Sequence, residues 1–128
     1  MPEQEIPGTG SAGPLAFVGD LIFASRVRGA AQAVGVAAEV LQSPDKVLER
    51  ARSRRPPLIL VDVEARGGAG VELVRRLKEE PATADVPVVA FASHRNTAAI
   101  EAARAAGADR VLARSAFVKA LPELLRSR

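Results

Sequence analysis

Several residue types that usually carry chemistry are missing from this chain. It contains no cysteine, no tryptophan and no tyrosine, and it has a single histidine, His94. Disulfide bonds, thiolate chemistry and zinc–thiolate sites are therefore excluded, and one histidine cannot build a multi-histidine metal site. With four phenylalanines as its only aromatic residues, the chain also offers little surface on which single-stranded nucleic acid could stack.

The charged residues are numerous and nearly balanced. Lys and Arg number 18 against 15 Asp and Glu, which gives a formal net charge of +3. A basic domain can bind nucleic acid or an acidic partner, so a basic nucleic-acid-binding module is one alternative for this chain. The residues that would carry it form one arginine row: Arg50, Arg52, Arg54 and Arg55. We interpret this row as a solvated helix face and do not expect nucleic-acid binding.

The first fourteen residues differ in composition from the rest. Residues 1–14 are rich in Gly, Pro, Ser and Thr and contain no apolar run, which predicts a disordered tail. They lack the basic start and apolar middle of a signal peptide, and no window of the chain approaches the length of a membrane span. We therefore expect one cytoplasmic domain over residues 15–128, with no membrane association.

Apolar runs and helical periodicities alternate along this domain. The runs predict five strands, at residues 15–18, 36–41, 58–61, 86–92 and 109–113. Helical spacing predicts four helices between them, at about residues 21–34, 44–55, 70–80 and 97–107. A fifth helix is predicted from Val118 to about Arg126, because Pro122 lacks an amide hydrogen and should fit only in the first turn. This alternation predicts an α/β sandwich with right-handed crossovers.

The segment from Leu58 to Gly70 is the most informative. Its apolar run, residues 58–61, shows no polar alternation and predicts a strand buried on both faces. Asp62 follows at the carboxyl end of that strand, which is where ligands gather in parallel sheets. The turn at residues 67–70 is glycine-rich but lacks the Walker lysine and the dinucleotide spacing. A nucleotide site is therefore not expected here.

This segment resembles the receiver domain of bacterial response regulators. In that family a buried strand ends at an acceptor aspartate, and a glycine eight residues later opens the third helix; Asp62 and Gly70 have this spacing. Residues 86–89 and 105–109 are similar to the family's fourth- and fifth-strand region. The resemblance covers about residues 15–127. It implies the flavodoxin-like (CheY-type) fold, a three-layer sandwich with a five-stranded parallel sheet of order 2-1-3-4-5 and five helices.

The resemblance also implies a phosphorylation pocket, and most of its positions are changed in this chain. The family's acidic pair falls on Val18-Gly19 or, with a shift of one residue, on Gly19-Asp20. Asp20 is expected to cap the first helix rather than to bind metal. The remaining changed positions are Ala92 for the switch hydroxyl, with Ser93 beside it, Val111 for the aromatic switch residue and Arg114 for the lysine. The pocket is therefore degenerate.

Asp62 alone is retained from the family's functional set. We expect it to be held by an ion pair with Arg114 and by loop amides, because leaving either charge unpaired and partly buried costs about 3–5 kcal/mol. His94, in the adjacent loop, has no nucleophile partner and is interpreted as a surface residue. Asp62 is thus a phospho-acceptor position that we predict to be inactive.

These changes favour a divergent receiver domain, a pseudo-receiver, in bacterial signal transduction. We expect it to act by phosphorylation-independent protein–protein interaction with a signalling protein or kinase, without a cofactor and without enzymatic activity. Its alanine-rich fourth helix suggests a homodimer through the fourth helix, fifth strand and fifth helix. The alternative is an atypical phospho-accepting receiver of a two-component phosphorelay. In that case Asp62 would be the acceptor, and Asp20, Asp62 and Glu64 would hold magnesium.

Overall fold

The computed structural model describes residues 13–65 and 67–126. The tail predicted at residues 1–14 lies outside the described residues except for Gly13 and Pro14. Of these two, Pro14 is buried, and its carbonyl oxygen accepts a hydrogen bond of 3.0 Å from the amide of Glu39.

Strands and helices alternate along the described chain. The strands are β1 (Leu15–Phe17), β2 (Glu39–Leu41), β3 (Ile59–Asp62), β4 (Val88–Ala92) and β5 (Arg110–Ala113). The helices are α1 (Leu21–Ala33), α2 (Pro44–Arg54), α3 (Ala69–Glu79), α4 (Thr97–Ala106) and α5 (Arg114–Arg126). The strands form one parallel sheet in the order β2-β1-β3-β4-β5. The predicted flavodoxin-like order 2-1-3-4-5 is confirmed.

The sheet lies between two hydrophobic cores, because successive strand residues point to opposite faces. Ile59 and Val61 of β3 belong to the core that contains residues of α2 and α3. Leu60, between them, belongs to the core that contains residues of α1 and α5. Both faces of the central strands are thus covered by helices, which explains why their sequences are apolar without alternation.

Local signals fix several helix ends. The Oδ1 atom of Asp20 accepts hydrogen bonds from the amides of Ile22 (2.8 Å) and Phe23 (3.2 Å), so its predicted role as the cap of α1 is confirmed. After the C-terminal ends of α1 and α4, Gly35 and Gly107 have φ values of 74° and 107°. Glycine adopts this left-handed conformation without the steric cost of a side chain.

The predicted start of the last helix is wrong. α5 begins at Arg114, directly after β5, and Pro122 lies in the helix interior. The reason is burial: Phe117, Leu121, Leu124 and Leu125 recur at helical spacing and are buried against the sheet. The apolar area that they remove from water outweighs the one backbone hydrogen bond that Pro122 cannot donate.

Two predicted strands are too long at their N-terminal ends. β2 begins at Glu39 rather than at Val36, and β4 begins at Val88 rather than at Val86. The amide of Val36 instead donates to the carbonyl of Ala31 and closes the end of α1, and the amide of Val86 donates to Thr83 in a turn. Apolar residues that belong to these turns extend the runs that predict the strands.

Candidate functional site

The candidate site lies at the carboxyl edge of the sheet, where β3 ends at Asp62. The Asp62 side chain is only 4% exposed. Gly70, at the start of α3, packs directly against this strand end. A Cβ atom at Gly70 would lie 2.5 Å from the carbonyl oxygen of Asp62 and 2.6 Å from the Cα of Val63. Glycine is therefore required at this position for the close approach of α3 to β3.

The Asp62 carboxylate is held by one loop amide and one cation. Its Oδ1 atom accepts a hydrogen bond of 3.0 Å from the amide of Glu64 and lies 3.6 Å from Nη2 of Arg114. Burial raises the pKa of Asp62, and this effect outweighs the opposing effects of the Glu64 amide and the Arg114 charge. Ionisation of Asp62 is thus disfavoured by its surroundings.

Glu64 is the hub of the site. Its Oε1 atom accepts hydrogen bonds from the amide of Ser93 (3.0 Å) and from Nη2 of Arg114 (3.1 Å), and its Oε2 atom accepts one from Nδ2 of Asn96 (2.9 Å). The pKa of Glu64 is lowered, chiefly by the Asn96 hydrogen bond and further by Ser93 and Arg114. One carboxylate therefore joins the β3–α3 loop, the β4–α4 loop and the first residue of α5.

Arg114 lies between these carboxylates and a cluster of aromatic rings. Its guanidinium carbon lies 4.8 Å from the ring centroid of Phe23 and 5.4 Å from that of Phe91. Phe91 in turn stacks on Phe117 with ring centroids 4.0 Å apart. A planar guanidinium can stack on these rings while it bonds to carboxylates, which a lysine ammonium cannot do in the same way. The cluster fixes Arg114 in place.

The residues present do not fit the magnesium ion that the phospho-accepting alternative requires. Val18 is fully buried and apolar, and Gly19 has no side chain, so neither of these two positions of the family's acidic pair supplies an oxygen ligand. The Oδ1 atom of Asp20 is already bonded to two helix amides. Between residues 13 and 126, leaving out position 66, no group of three His, Cys, Asp or Glu side chains could hold a metal.

The two residues at the end of β4 also lack the expected chemistry. Ala92 is fully buried and has no polar side-chain group. Ser93 contributes its backbone amide to Glu64, and its hydroxyl oxygen accepts a hydrogen bond of 3.2 Å from the amide of Arg95. Its side chain thus stabilises the β4–α4 turn. His94 is exposed in the same loop.

The arginine row on α2 and at its C-terminal cap contacts residues outside the candidate site. Nε of Arg50 donates to both carboxylate oxygens of Glu39 (3.1 and 3.0 Å), and Nη2 of Arg52 donates to Oε1 of Glu80 (2.8 Å). The other two residues of the row also have partners: Arg54 pairs with Glu39 at 3.9 Å and Arg55 with Asp85 at 2.6 Å. Each arginine of the row thus has a carboxylate of the chain within 4 Å, and Arg50 and Arg54 share Glu39.

Sequence reasoning identified Asp62 and Arg114 but not the central position of Glu64. It considered Glu64 only as a metal ligand of the alternative. Strand alternation could not place Glu64, because β3 ends at Asp62 and residues 63–65 form a turn. The stacking of Arg114 on Phe23 and Phe91 could not be predicted either, because these residues are distant in sequence.

The comparisons with known proteins agree with this fold. The family model of the response regulator receiver domain matches residues 20–126. The chain therefore belongs to the receiver domain family of response regulators, whose members take part in two-component signalling and interact with kinases and other signalling proteins. No sequence among the curated proteins matches the chain significantly.

Solved receiver structures have the same architecture. A response regulator from Chloroflexus aurantiacus J-10-fl is similar with a TM-score of 0.74 and 22% identity, over 89% of this chain and 98% of its own. The receiver domain of the sensor histidine kinase PA1611 from Pseudomonas aeruginosa PAO1 was solved with a magnesium ion in its active-site cleft. It is similar with a TM-score of 0.74 and 16% identity, over 91% of this chain and 99% of its own. The receiver domain of NtrX from Brucella abortus is similar with a TM-score of 0.70 and 21% identity, over 84% of this chain and 90% of its own. At these identities the likeness shows the fold alone.

Across the described residues, no helix combines the length and the apolar character that a membrane crossing requires.

Proposed function

We propose that this receiver domain signals by protein–protein contact without phosphoryl transfer, catalyses no reaction and uses no magnesium. The observation that carries the proposal is the position of Glu64. Its carboxylate engages Arg114 and the start of the β4–α4 loop. These are the elements on which the family resemblance places the lysine and the switch hydroxyl. The donors that a phosphoryl group would need are thus already bonded to a permanent anion.

The surroundings of Asp62 support the same proposal. A phospho-acceptor carboxylate must be ionised and must reach its donor, whereas the Asp62 side chain is 4% exposed and its pKa is raised by burial. A phosphoryl group on Asp62 would add about two negative charges at neutral pH. Arg114 is the cation within 4 Å of Asp62 in the described structure, and Glu64 shares it.

The mass of the intact protein tests the proposal. The protein is incubated with acetyl phosphate and magnesium beside a phospho-accepting receiver as a positive control. We expect no phosphate adduct on the wild-type chain under conditions that modify the control. An adduct that is lost in Asp62→Asn would establish the alternative, an atypical phospho-accepting receiver with Asp62 as the acceptor.

We further propose that the face formed by α4, β5 and α5 is the contact surface, with a second copy of the chain as one partner. Ala103 is the buried residue of α4, whereas Ala98 and Ala105 are exposed, and β5 is the edge strand of the sheet. Light scattering over a concentration series should detect a dimer that Ala105→Glu disrupts. Ala33→Glu, at an exposed position of α1, is the control. A monomer at all concentrations leaves this face to a kinase or another signalling protein.

A nucleic-acid-binding function is not supported, because the arginines of α2 are paired with carboxylates. Phosphate contacts would have to displace these carboxylates, and binding by counterion release needs free cations. A gel shift at low salt should therefore show no complex. The cytoplasmic location stays a prediction.

A further inference from the structure

An open pocket of about 670 Å³ adjoins the site at the carboxyl edge of the sheet. Its walls come from the first two turns of α1, the β4–α4 loop and the first two turns of α5, including Ile22, Phe23, Ser93 and Val118. The volume lies within the range of about 300–1,000 Å³ that small-molecule sites occupy. The pocket is thus large enough for an organic ligand of moderate size.

The apolar part of the pocket includes an unusual exposed side chain. Ile22 is 81% exposed, and only it and Leu21, at 68%, are exposed large hydrophobic residues among those that the structure describes. Ile22 lines the pocket, whereas Leu21 does not. Phe23 lines the pocket beside Ile22, and its ring packs against the rings of Phe91 and Phe117. Phe23 is only 8% exposed, so Ile22 supplies most of the accessible apolar surface, which an apolar ligand would cover.

The charged part of the pocket carries free cations. Arg26 of α1 and Lys119 of α5 both line it, both are exposed, and neither has a hydrogen bond or ion pair within the described part of the chain. Arg114 is bonded to Glu64. Asp20 is the acidic residue of the lining, and its Oδ1 atom caps α1. Unlike the arginine row, these two cations have no ion-pair partner among the residues that the structure describes, and Asp20 is the one carboxylate that lines the pocket with them.

We propose that this pocket binds a small amphipathic carboxylate. Its apolar body would pack on Ile22, Phe23 and Val118, and its carboxylate would be held by Arg26 and Lys119. This inference does not rest on the proposed function, since none of these side chains holds Asp62. It assigns a ligand class to a surface that shares Asp20, Ser93 and Arg114 with the degenerate pocket, whether or not Asp62 accepts a phosphoryl group.

Titration of the full ¹⁵N-labelled chain with 2-naphthoate tests the proposal, with 2-naphthalenemethanol as the neutral analogue and acetate as the anion without an apolar body. We expect saturable shifts that cluster at the amides of residues 22–26, 93–94 and 114–119. Both controls should bind more weakly, and the affinity for 2-naphthoate should fall with added salt.

Matched variants distinguish binding in the pocket from non-specific electrostatic or hydrophobic binding elsewhere on the surface. Arg26→Gln and Lys119→Gln should each weaken 2-naphthoate binding about two- to fivefold, whereas Arg28→Gln, on another side of α1, should leave it unchanged. Ile22→Ser should weaken it, and Leu21→Ser should not. All five side chains are exposed, and the amide spectra report that each variant keeps the fold.

Three results would overturn the proposal. Equal affinity for 2-naphthalenemethanol would show that the cations do not bind the carboxylate of the ligand. An equal loss of affinity in Arg28→Gln and Arg26→Gln would show non-specific charge attraction. Shifts that do not saturate, or that lie away from the named amides, would show that the pocket is not a binding site.

Discussion

At the scale of single residues, Asp62 and Glu64 have opposite electrostatics although they lie two positions apart. Burial raises the pKa of Asp62, so that its charge opposes folding at neutral pH. Three hydrogen bonds from Asn96, Ser93 and Arg114 lower the pKa of Glu64, so that its charge favours folding. The charge of the residue retained from the family pattern thus opposes folding, whereas the charge of its neighbour Glu64 favours it.

Neutral isosteres of the two carboxylates should therefore have opposite effects. Asp62→Asn removes a buried charge and keeps an oxygen for the Glu64 amide, so we expect stability that is equal to or higher than that of the wild type. Glu64→Gln weakens three hydrogen bonds to a charged acceptor and should cost about 2 kcal/mol. Urea unfolding at pH 7, followed by circular dichroism, measures both. A larger loss in Asp62→Asn than in Glu64→Gln would contradict this assignment.

The contributions of Glu64 and Asp62 to the free energy of unfolding change in opposite directions as the pH falls. The contribution of Glu64 is fully present above its ordinary pKa and is lost as the pH falls through its lowered value in the folded state. The penalty from Asp62 is present above its raised folded-state pKa and is relieved as the pH falls through that value. We expect Glu64→Gln to lose less stability than the wild type on acidification, and Asp62→Asn to lose more. Urea unfolding between pH 7 and pH 3 gives both slopes; parallel curves for all three proteins would count against the account.

Arg114 should not be replaceable by lysine, although the family has lysine at this position. Arg114→Lys keeps the charge but loses the stacking on Phe23 and Phe91 and the fixed geometry toward Glu64. We expect a loss of about 1 kcal/mol in the free energy of unfolding. Lys119→Arg on the same helix is the control and should change little. A stability equal to that of the wild type would show that Arg114 acts only as a point charge.

At the scale of elements, the interior proline of α5 is the clearest departure from sequence reasoning. Pro122 is exposed, while Leu121 and Leu124 on either side are buried. Pro122→Ala restores a helix donor without disturbing the core and should stabilise the protein by about 1–2 kcal/mol, after the smaller entropy of the proline-containing unfolded chain is considered. Thermal unfolding measures the change. A lower stability would show that the packing of α5 depends on the proline ring.

Most elements could be predicted because their signals are local. Asp20, Ser43, Gly35 and Gly107 mark helix ends through their own hydrogen-bonding groups or backbone freedom. The start of α5 could not be predicted, since it depends on the burial of Phe117 and Leu121 against a sheet that forms from distant strands. Local propensity at Pro122 indicated a later start, and tertiary packing decided otherwise.

At the scale of the whole molecule, the fold could be predicted from one motif and the alternation of elements, whereas the candidate site could be predicted only in part. The positions of Asp62, Ala92 and Arg114 at one edge result from the parallel sheet, since carboxyl ends of its strands meet there. The pairing of Arg114 with Glu64 in preference to Asp62 depends on side-chain geometry, with distances of 3.1 and 3.6 Å. A sequence does not contain such distances directly.

We propose above that Glu64 and the buried Asp62 leave this domain without a means to take up a phosphoryl group. The most direct test is the amide spectrum of the wild-type chain with and without beryllofluoride and magnesium, which together mimic the phosphorylated aspartate. We expect no change at the amides around Asp62, Ser93 and Arg114, at concentrations that shift the amide signals of a phospho-accepting receiver. Shifts centred on Asp62 that disappear in Asp62→Asn would contradict it.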